Sequence, residues 1–245
     1  MGICDNCGDC IATCPQQALS LQNGVVSWNS HRCEQCDTCI QQCPRQSSPM
    51  TLTYTVDELI AITRKYAAFI NGVTVSGGES TLQLPFLIDY FKAIKEAPDL
   101  RHLTCLIDSN GTLSLNGWQK IAPFMDGAMI DLKSWSEETH IYLTGRSNQR
   151  IKKSIKWLSE HNLLAELRLL YIPEKTDYLE NIEPLSHFIN SLGESITIRI
   201  NAFHQHGVYG EAKNWRSANK EQIINLQNEL TLRKVNLIKT PNIYT

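Results

Sequence analysis

Eight of the nine cysteines lie within the first 43 residues, in two quartets of one spacing. They are Cys4, Cys7, Cys10 and Cys14, then Cys33, Cys36, Cys39 and Cys43. Each quartet reads C-x2-C-x2-C-x3-C and runs into a proline, Pro15 or Pro44, which makes an internal repeat of about 29 residues. Three chemistries compete for such thiols. A disulfide framework needs an oxidising compartment, and the first residues, Met1 to Asp5, carry no basic-then-apolar export signal. Zinc takes four ligands as two separated pairs, not three thiolates in tight x2 steps. The x2-x2 run instead wraps three thiolates around three corners of an iron–sulfur cubane, with the fourth cysteine too far along the chain to join them.

In the bacterial ferredoxin pattern that fourth cysteine ligates the other cluster. The expected ligand sets are therefore Cys4, Cys7, Cys10 and Cys43 for one [4Fe-4S] cluster, and Cys33, Cys36, Cys39 and Cys14 for a second. Between the quartets, Ala18 to Leu21 and Val25 to Trp28 are short apolar runs around Asn23-Gly24, a strong hairpin signal. Cys105, alone in the apolar run Leu103 to Ile107, reads as a core residue.

Beyond the cysteines, residues capable of chemistry fall at the ends of expected strands. Ser76-Gly77-Gly78-Glu79 ends the first and Asp108-Ser109-Asn110-Gly111 the second. Asp131-Leu132-Lys133 ends the third, Arg168 precedes Pro173 on the fourth, and the fifth runs into Asn201, His204 and His206. Each has a bland reading. A Gly-Gly pair is most often a tight turn, and Asp108 to Gly111 can be an Asx turn. Asp131 and Lys133 can be a surface ion pair of little value, and a lone His204 is more often a loop histidine than a ligand contact. Their placement at the ends of one sheet favours function, since ligands bind beyond the carboxyl ends of parallel strands.

The elements that must carry these residues follow from periodicity. Strands are expected at 72–76, 103–108, 128–132, 164–172 and 196–202. Helices are expected at 56–70, with Thr55 as its cap, and at 85–97, 117–124, 149–160, 179–192 and 220–232. Strands alternating with helices imply βαβ units and a parallel sheet, an α/β fold. Gln46 to Pro49 is a polar, proline-ended stretch, so the expected domains are 1–49 and 50–245. Together the 245 residues can bury a substantial core. Lys plus Arg is 23 and Asp plus Glu is 25, a net charge of -2, with no basic excess for nucleic acid or an anionic membrane. No run approaches the roughly 18 apolar residues of a membrane span, and a cytoplasmic location is expected.

The paired quartets, Gly72 to Glu79 (GVTVSGGE), Asp108 to Gly111 (DSNG), Asp131 to Lys133 (DLK) and Phe203-His204 together resemble the radical S-adenosylmethionine superfamily. Within it, they are similar to the glycyl-radical enzyme activating enzymes with a two-cluster ferredoxin insertion. The resemblance covers nearly the whole chain. It implies a partial (βα)6 barrel behind an N-terminal ferredoxin-like α+β domain. It also implies that Gly77, Gly78 and Glu79 hold the methionine amino group. Asp108, Ser109, Asp131 and Lys133 would lie near the methionine carboxylate, directly or through a bound monovalent cation. Arg168 and His204 would contact the cofactor, His204 near the adenine.

The resemblance further implies one-electron reduction of the sulfonium and removal of a Cα hydrogen from a glycine of a partner glycyl-radical enzyme, with flavodoxin or ferredoxin as electron donor. One departure matters. The family's C-x3-C-x2-C motif, which holds a third [4Fe-4S] cluster with an open iron, is absent here. Cys10-x3-Cys14 and Cys39-x3-Cys43 begin that way, but no cysteine follows at the required step. The expectation is an activase lacking its catalytic cluster and first barrel strand, with Met1 an internal methionine read as a start or the upstream piece lost. Two other functions compete: an iron–sulfur electron-transfer protein with a non-catalytic barrel, and a non-redox binding module.

Overall fold

The computed structural model describes residues 4–45, 47–206, 208 and 210–241. The expectations above that involve Met1, Gly2 and Gln46 lie outside the described residues. The chain forms two compact units, Met1–Thr55 and Val56–Thr245, dividing a few residues after Pro49.

In the first unit, strands β1 (Leu19–Gln22) and β2 (Val25–Trp28) form the antiparallel hairpin. Asn23 and Gly24 take φ of 50° and 76°, the two left-handed residues that a tight hairpin turn demands. One short helix, α1 (Thr38–Gln42), runs through the second quartet and has no counterpart in the periodicity reading. Leu19, Val26 and Cys39 are the buried apolar centre, with Ile11, Trp28 and Ile40 packed around them. So small a core does not hold a fold by hydrophobic burial alone.

The second unit contains six parallel strands in chain order: β3 (Gly72–Val75), β4 (Thr104–Ser109), β5 (Gly127–Leu132), β6 (Leu164–Tyr171), β7 (Thr197–Ala202) and β8 (Ile238–Lys239). The helices are α2 (Val56–Tyr66), α3 (Leu84–Glu96), α4 (Leu115–Ile121), α5 (Glu137–Thr144), α6 (Gln149–Glu160), α7 (Ile182–Asn190) and α8 (Lys220–Leu232). When each strand lies beside its predecessor and crossovers are right-handed, the helices collect on one face of the sheet. That face is dry. Cys105, Ile107, Ile130, Leu167, Leu169 and Ile200 are fully buried, against helix residues such as Phe91, Ile94, Trp118 and Leu158.

The other face carries Asp108, Met129, Asp131, Glu166, Arg168 and Arg199, one residue out of step with the buried set. Parallel strands covered on both faces read as continuous apolar runs. Here Thr104–Ser109 and Thr197–Ala202 alternate in burial, because the residues of the second face are mostly polar.

Two expectations change. The sheet has a sixth strand, whose two residues pair Ile198 with Ile238 and Arg199 with Lys239; it is too short for a period to register. Helix α5 was not expected either. Its segment has no apolar stripe, and its start is set by Ser136, whose side chain accepts from Thr139 N. Among the described residues, no helix is long and apolar enough to cross a membrane.

Candidate functional site

The loop that leaves β3 turns on Gly77 and Gly78, at φ of 101° and 51°. A Cβ at either would meet open space, so conformation and not crowding selects glycine there. Glu79 follows and caps the turn of 80–83. Its Oε1 accepts from Thr81 N (3.1 Å), Thr81 Oγ1 (2.6 Å) and Ser109 Oγ (2.8 Å). Its Oε2 accepts from Asn110 N at 2.8 Å. The carboxylate thus ties the exit of β3 to the exit of β4, and its role is turned toward the protein. A direct partnership with a ligand ammonium is not what this geometry favours.

Asp108 is held from both sides. Ser76 Oγ donates to its Oδ2 at 3.0 Å and Arg168 Nη1 to its Oδ1 at 2.9 Å, while Ser80 Oγ donates to its carbonyl at 3.0 Å. β4 and β6 are not neighbours. Arg168 reaches over β5, passing Met129 Sδ at 2.9 Å, to join them. Its Nε meets Glu166 Oε1 at 2.7 Å, and Arg199 Nε reaches the same oxygen at 2.9 Å. Burial pushes the Glu166 carboxyl up, but Arg199 and Arg168 outweigh it and hold it below the usual range. Glu166 and Arg199 were not among the expected site residues; alternation along β6 and β7 is the signal that could have found them.

Lys133 Nζ and Asp131 Oδ2 pair at 2.7 Å, both partly exposed. The segment that follows them is fixed by residues that the strand-end rule missed. Asp177 Oδ1 accepts from Ser134 Oγ (2.5 Å) and Trp135 N (2.8 Å), and its Oδ2 accepts from Ser136 N (2.8 Å). Tyr178 Oη donates to the Leu132 carbonyl at 2.5 Å, Asn148 Nδ2 to the Trp135 carbonyl at 2.8 Å, and Lys152 Nζ to the same carbonyl at 2.8 Å. Burial raises Asp177, but the Ser134 and Ser136 bonds bring it below the ordinary carboxylate range. Beside Lys133 lies a hollow of about 210 Å³, lined by Leu143, Leu170, Ile172, Phe203 and Trp215. Phe203 is buried and His204, next to it, is exposed, apart from the charged network. Cys105 is buried on the helix side of the sheet, where burial pushes its thiol up to about 11.

In the first unit, burial raises the Cys10 thiol, its own N–H opposes this, and the neighbouring Cys39, Cys4 and Cys43 add to the rise. Burial likewise raises Cys39, with Cys14 and Cys33 as the charged neighbours. Backbone N–H groups point at sulfur at equivalent places in the repeat: Ala18 N to Cys14 at 3.3 Å and Ser47 N to Cys43 at 3.4 Å. Gln35 N donates to Cys33 at 3.4 Å, and Thr38 Oγ1 lies 3.4 Å from Cys36. Among the described residues no three His, Cys, Asp or Glu converge as they would on a single ion. Eight thiols in two C-x2-C-x2-C-x3-C sets are donor chemistry suited to iron–sulfur cubanes.

Residues 30–189 match the Radical SAM superfamily, and residues 2–44 match the 4Fe-4S dicluster domain. Over 168 residues the chain is 33% identical to a pyruvate formate-lyase-activating enzyme of Staphylococcus epidermidis, with 66% of each chain covered. It is 32% identical to that of Staphylococcus aureus (strain USA300), again with 66% of each covered. The chain thus spans 66% of the length of these relatives. The fold is like that of a domain of a pyruvate-formate lyase-activating enzyme from Bacteroides vulgatus, with a TM-score of 0.58, 21% identity, and 70% of this chain and 99% of that one covered. It is also like Streptococcus suis SuiB bound to S-adenosylmethionine, with a TM-score of 0.60, 15% identity, and 79% of this chain and 45% of that one covered.

Proposed function

Since the chain belongs to the radical SAM superfamily, we propose that it is built to activate a glycyl-radical enzyme of the pyruvate formate-lyase kind. One observation carries the reading. Glu79, Asp108, Ser109 and Arg168 come from three strands, yet two sets of hydrogen bonds, joined through the adjacent Asp108 and Ser109, gather them at the carboxyl end of the sheet beside the Gly77-Gly78 turn. The Asp131–Lys133 pair stands on β5, the strand that Arg168 spans. Such a rim suits a zwitterion, with backbone groups at the glycine turn for an ammonium and the Lys133 and Arg168 cations for a carboxylate. The hollow between Lys133 and Phe203 suits an apolar ring system beside it. In this reading S-adenosylmethionine occupies the rim, and His204 closes on its adenine.

Beside a cluster with an open iron, that cofactor would supply one-electron chemistry directed at a glycine Cα–H of the partner. The chain's own residues bind it, orient it and hold its carboxylate. The eight cysteines hold two [4Fe-4S] clusters in the crossed sets Cys4/Cys7/Cys10/Cys43 and Cys33/Cys36/Cys39/Cys14. Electrons enter from flavodoxin or ferredoxin, in a cytoplasmic setting where thiols stay reduced.

A third cluster does not fit. The second unit has only Cys105, buried on the wrong face of the sheet. These residues are therefore expected to bind S-adenosylmethionine without cleaving it. The same lack favours the second reading, an electron carrier whose barrel does no chemistry. Equilibrium dialysis separates the two. Reconstituted protein should bind S-adenosylmethionine, and Lys133→Ala should bind it about tenfold more weakly, the loss of roughly one charge-assisted bond. No binding by the parent protein would leave the electron carrier. Formation of 5'-deoxyadenosine with dithionite would overturn the claim of binding without cleavage.

A further inference from the structure

We infer that the two clusters are unequal, and that Thr38, through its hydrogen bond to the Cys36 sulfur, makes the cluster on Cys33, Cys36, Cys39 and Cys14 the easier one to reduce. The inference rests on the eight-cysteine assignment above. The two halves of the repeat have the same cysteine spacing but different residues between. Cys36-Asp37-Thr38 stands where the first half has Cys7-Gly8-Asp9. Thr38 Oγ1 lies 3.4 Å from Cys36 Sγ. A ligated cysteine has no proton, so in the holoprotein the hydroxyl must be the donor. At the matching point the Asp9 backbone N–H also reaches Cys7, but where Thr38 offers a hydroxyl Asp9 offers a carboxylate, which accepts only and repels a thiolate.

The remaining sulfurs lean the same way. In the second set Gln35 N donates to Cys33 at 3.4 Å and Ala18 N to Cys14 at 3.3 Å, so three of its four sulfurs have donors. In the first set Ser47 N donates to Cys43 at 3.4 Å, but Cys4 Sγ faces the carbonyl oxygen of Asn6 at 3.7 Å. That oxygen has nothing to give a thiolate. Net charge does not account for the difference. Each half carries two acids, Asp5 and Asp9 against Glu34 and Asp37, and Arg45 pairs with Asp5 at 2.9 Å.

Reduction adds negative charge that spreads onto the thiolates, so donors at sulfur favour it and a carboxylate opposes it. One electron then passes downhill. The cluster on Cys4, Cys7, Cys10 and Cys43 goes from the 1+ to the 2+ state while the other goes from 2+ to 1+, and no bond or proton moves. The reductant that starts the sequence is a low-potential one-electron donor, a flavin or iron–sulfur protein.

The test is a redox titration of the anaerobically reconstituted chain, followed by electron paramagnetic resonance. Two one-electron midpoints are expected. Thr38→Val should lower the higher midpoint by about a tenfold change in the reduced-to-oxidised ratio, about 59 mV for one electron, and Thr38→Ser should keep it. Asp9→Thr should raise the lower midpoint. A Thr38→Val protein with both midpoints unmoved, or with the lower one moved, overturns the inference while the cluster assignment stands. A parent protein with fewer than two clusters overturns both.

Discussion

Glu79 illustrates how far a motif carries. By sequence it is the acid of a Gly-Gly-Glu turn; in the fold its two oxygens are taken by four protein donors. Replacing it with glutamine sets an NH2 against donors at one oxygen or the other. Glu79→Gln should therefore lower folding stability and weaken S-adenosylmethionine binding together, each by about 1.5 kcal/mol, the smaller end for a hydrogen bond to a charged group. Thermal melts and dialysis on the same variant decide it. Weaker binding with an unchanged melt would return Glu79 to direct contact with the cofactor. Arg168 was legible as a strand-end cation, whereas its partners were not. Asp108 lies sixty positions away in sequence, on a strand that is not adjacent.

The segment between β5 and α5 depends on one carboxylate. Asp177 gathers Ser134, Trp135 and Ser136, and Tyr178 beside it holds the Leu132 carbonyl. Asp177→Ala should cost about 2–3 kcal/mol, since several donors lose a charged acceptor at once; urea unfolding measures this. The sign of the pH dependence follows from the same bonds. Asp177 and Glu166 both have carboxyls below their ordinary range in the fold. Their stabilisation is complete above the unfolded values, about pH 4, and is lost as pH falls through the lower folded values. Urea midpoints should be level from pH 6 to 8 and drop below about pH 4, and Glu166→Gln should flatten part of that drop. A wild-type midpoint unchanged at pH 3 would refute the assignment. Element identity was largely legible here. Gln149–Glu160 and Lys220–Leu232 have the expected bounds, while α5 and β8 were invisible because one lacks a stripe and the other is two residues long.

The two units differ in what holds them together. The first has a small apolar cluster around Leu19 and Val26 and eight cysteines, the second a continuous core under one face of a six-stranded sheet. Ligation energy thus replaces burial in the first unit. Reconstituted protein should hold about eight irons, four per cluster. Chelating them should abolish the protection of β1 and β2 amides from hydrogen exchange and leave that of β4 to β7 intact. Loss of protection throughout would show that the sheet, too, depends on the metal. About four irons, or zinc in their place, would defeat the two-cluster assignment.

Sequence alone was enough to point to iron–sulfur chemistry, because thiols two and three residues apart are placed by a few bonds of local chain whatever the rest of the molecule does. It was also enough for the alternation of strands and helices, since hydrophobic period is a local property, and for the polar residues at strand ends. Tertiary structure decided which of those residues meet. The register of β5 against β6 sets Asp131 beside Arg168, and the length of an arginine spans β5 to Asp108. The turn at Gly77 and Gly78 points the Glu79 carboxylate inward, and Asp177 becomes the hub of a loop forty residues upstream. Such contacts depend on how strands line up and where side chains point across a sheet, and no short window of sequence contains that information.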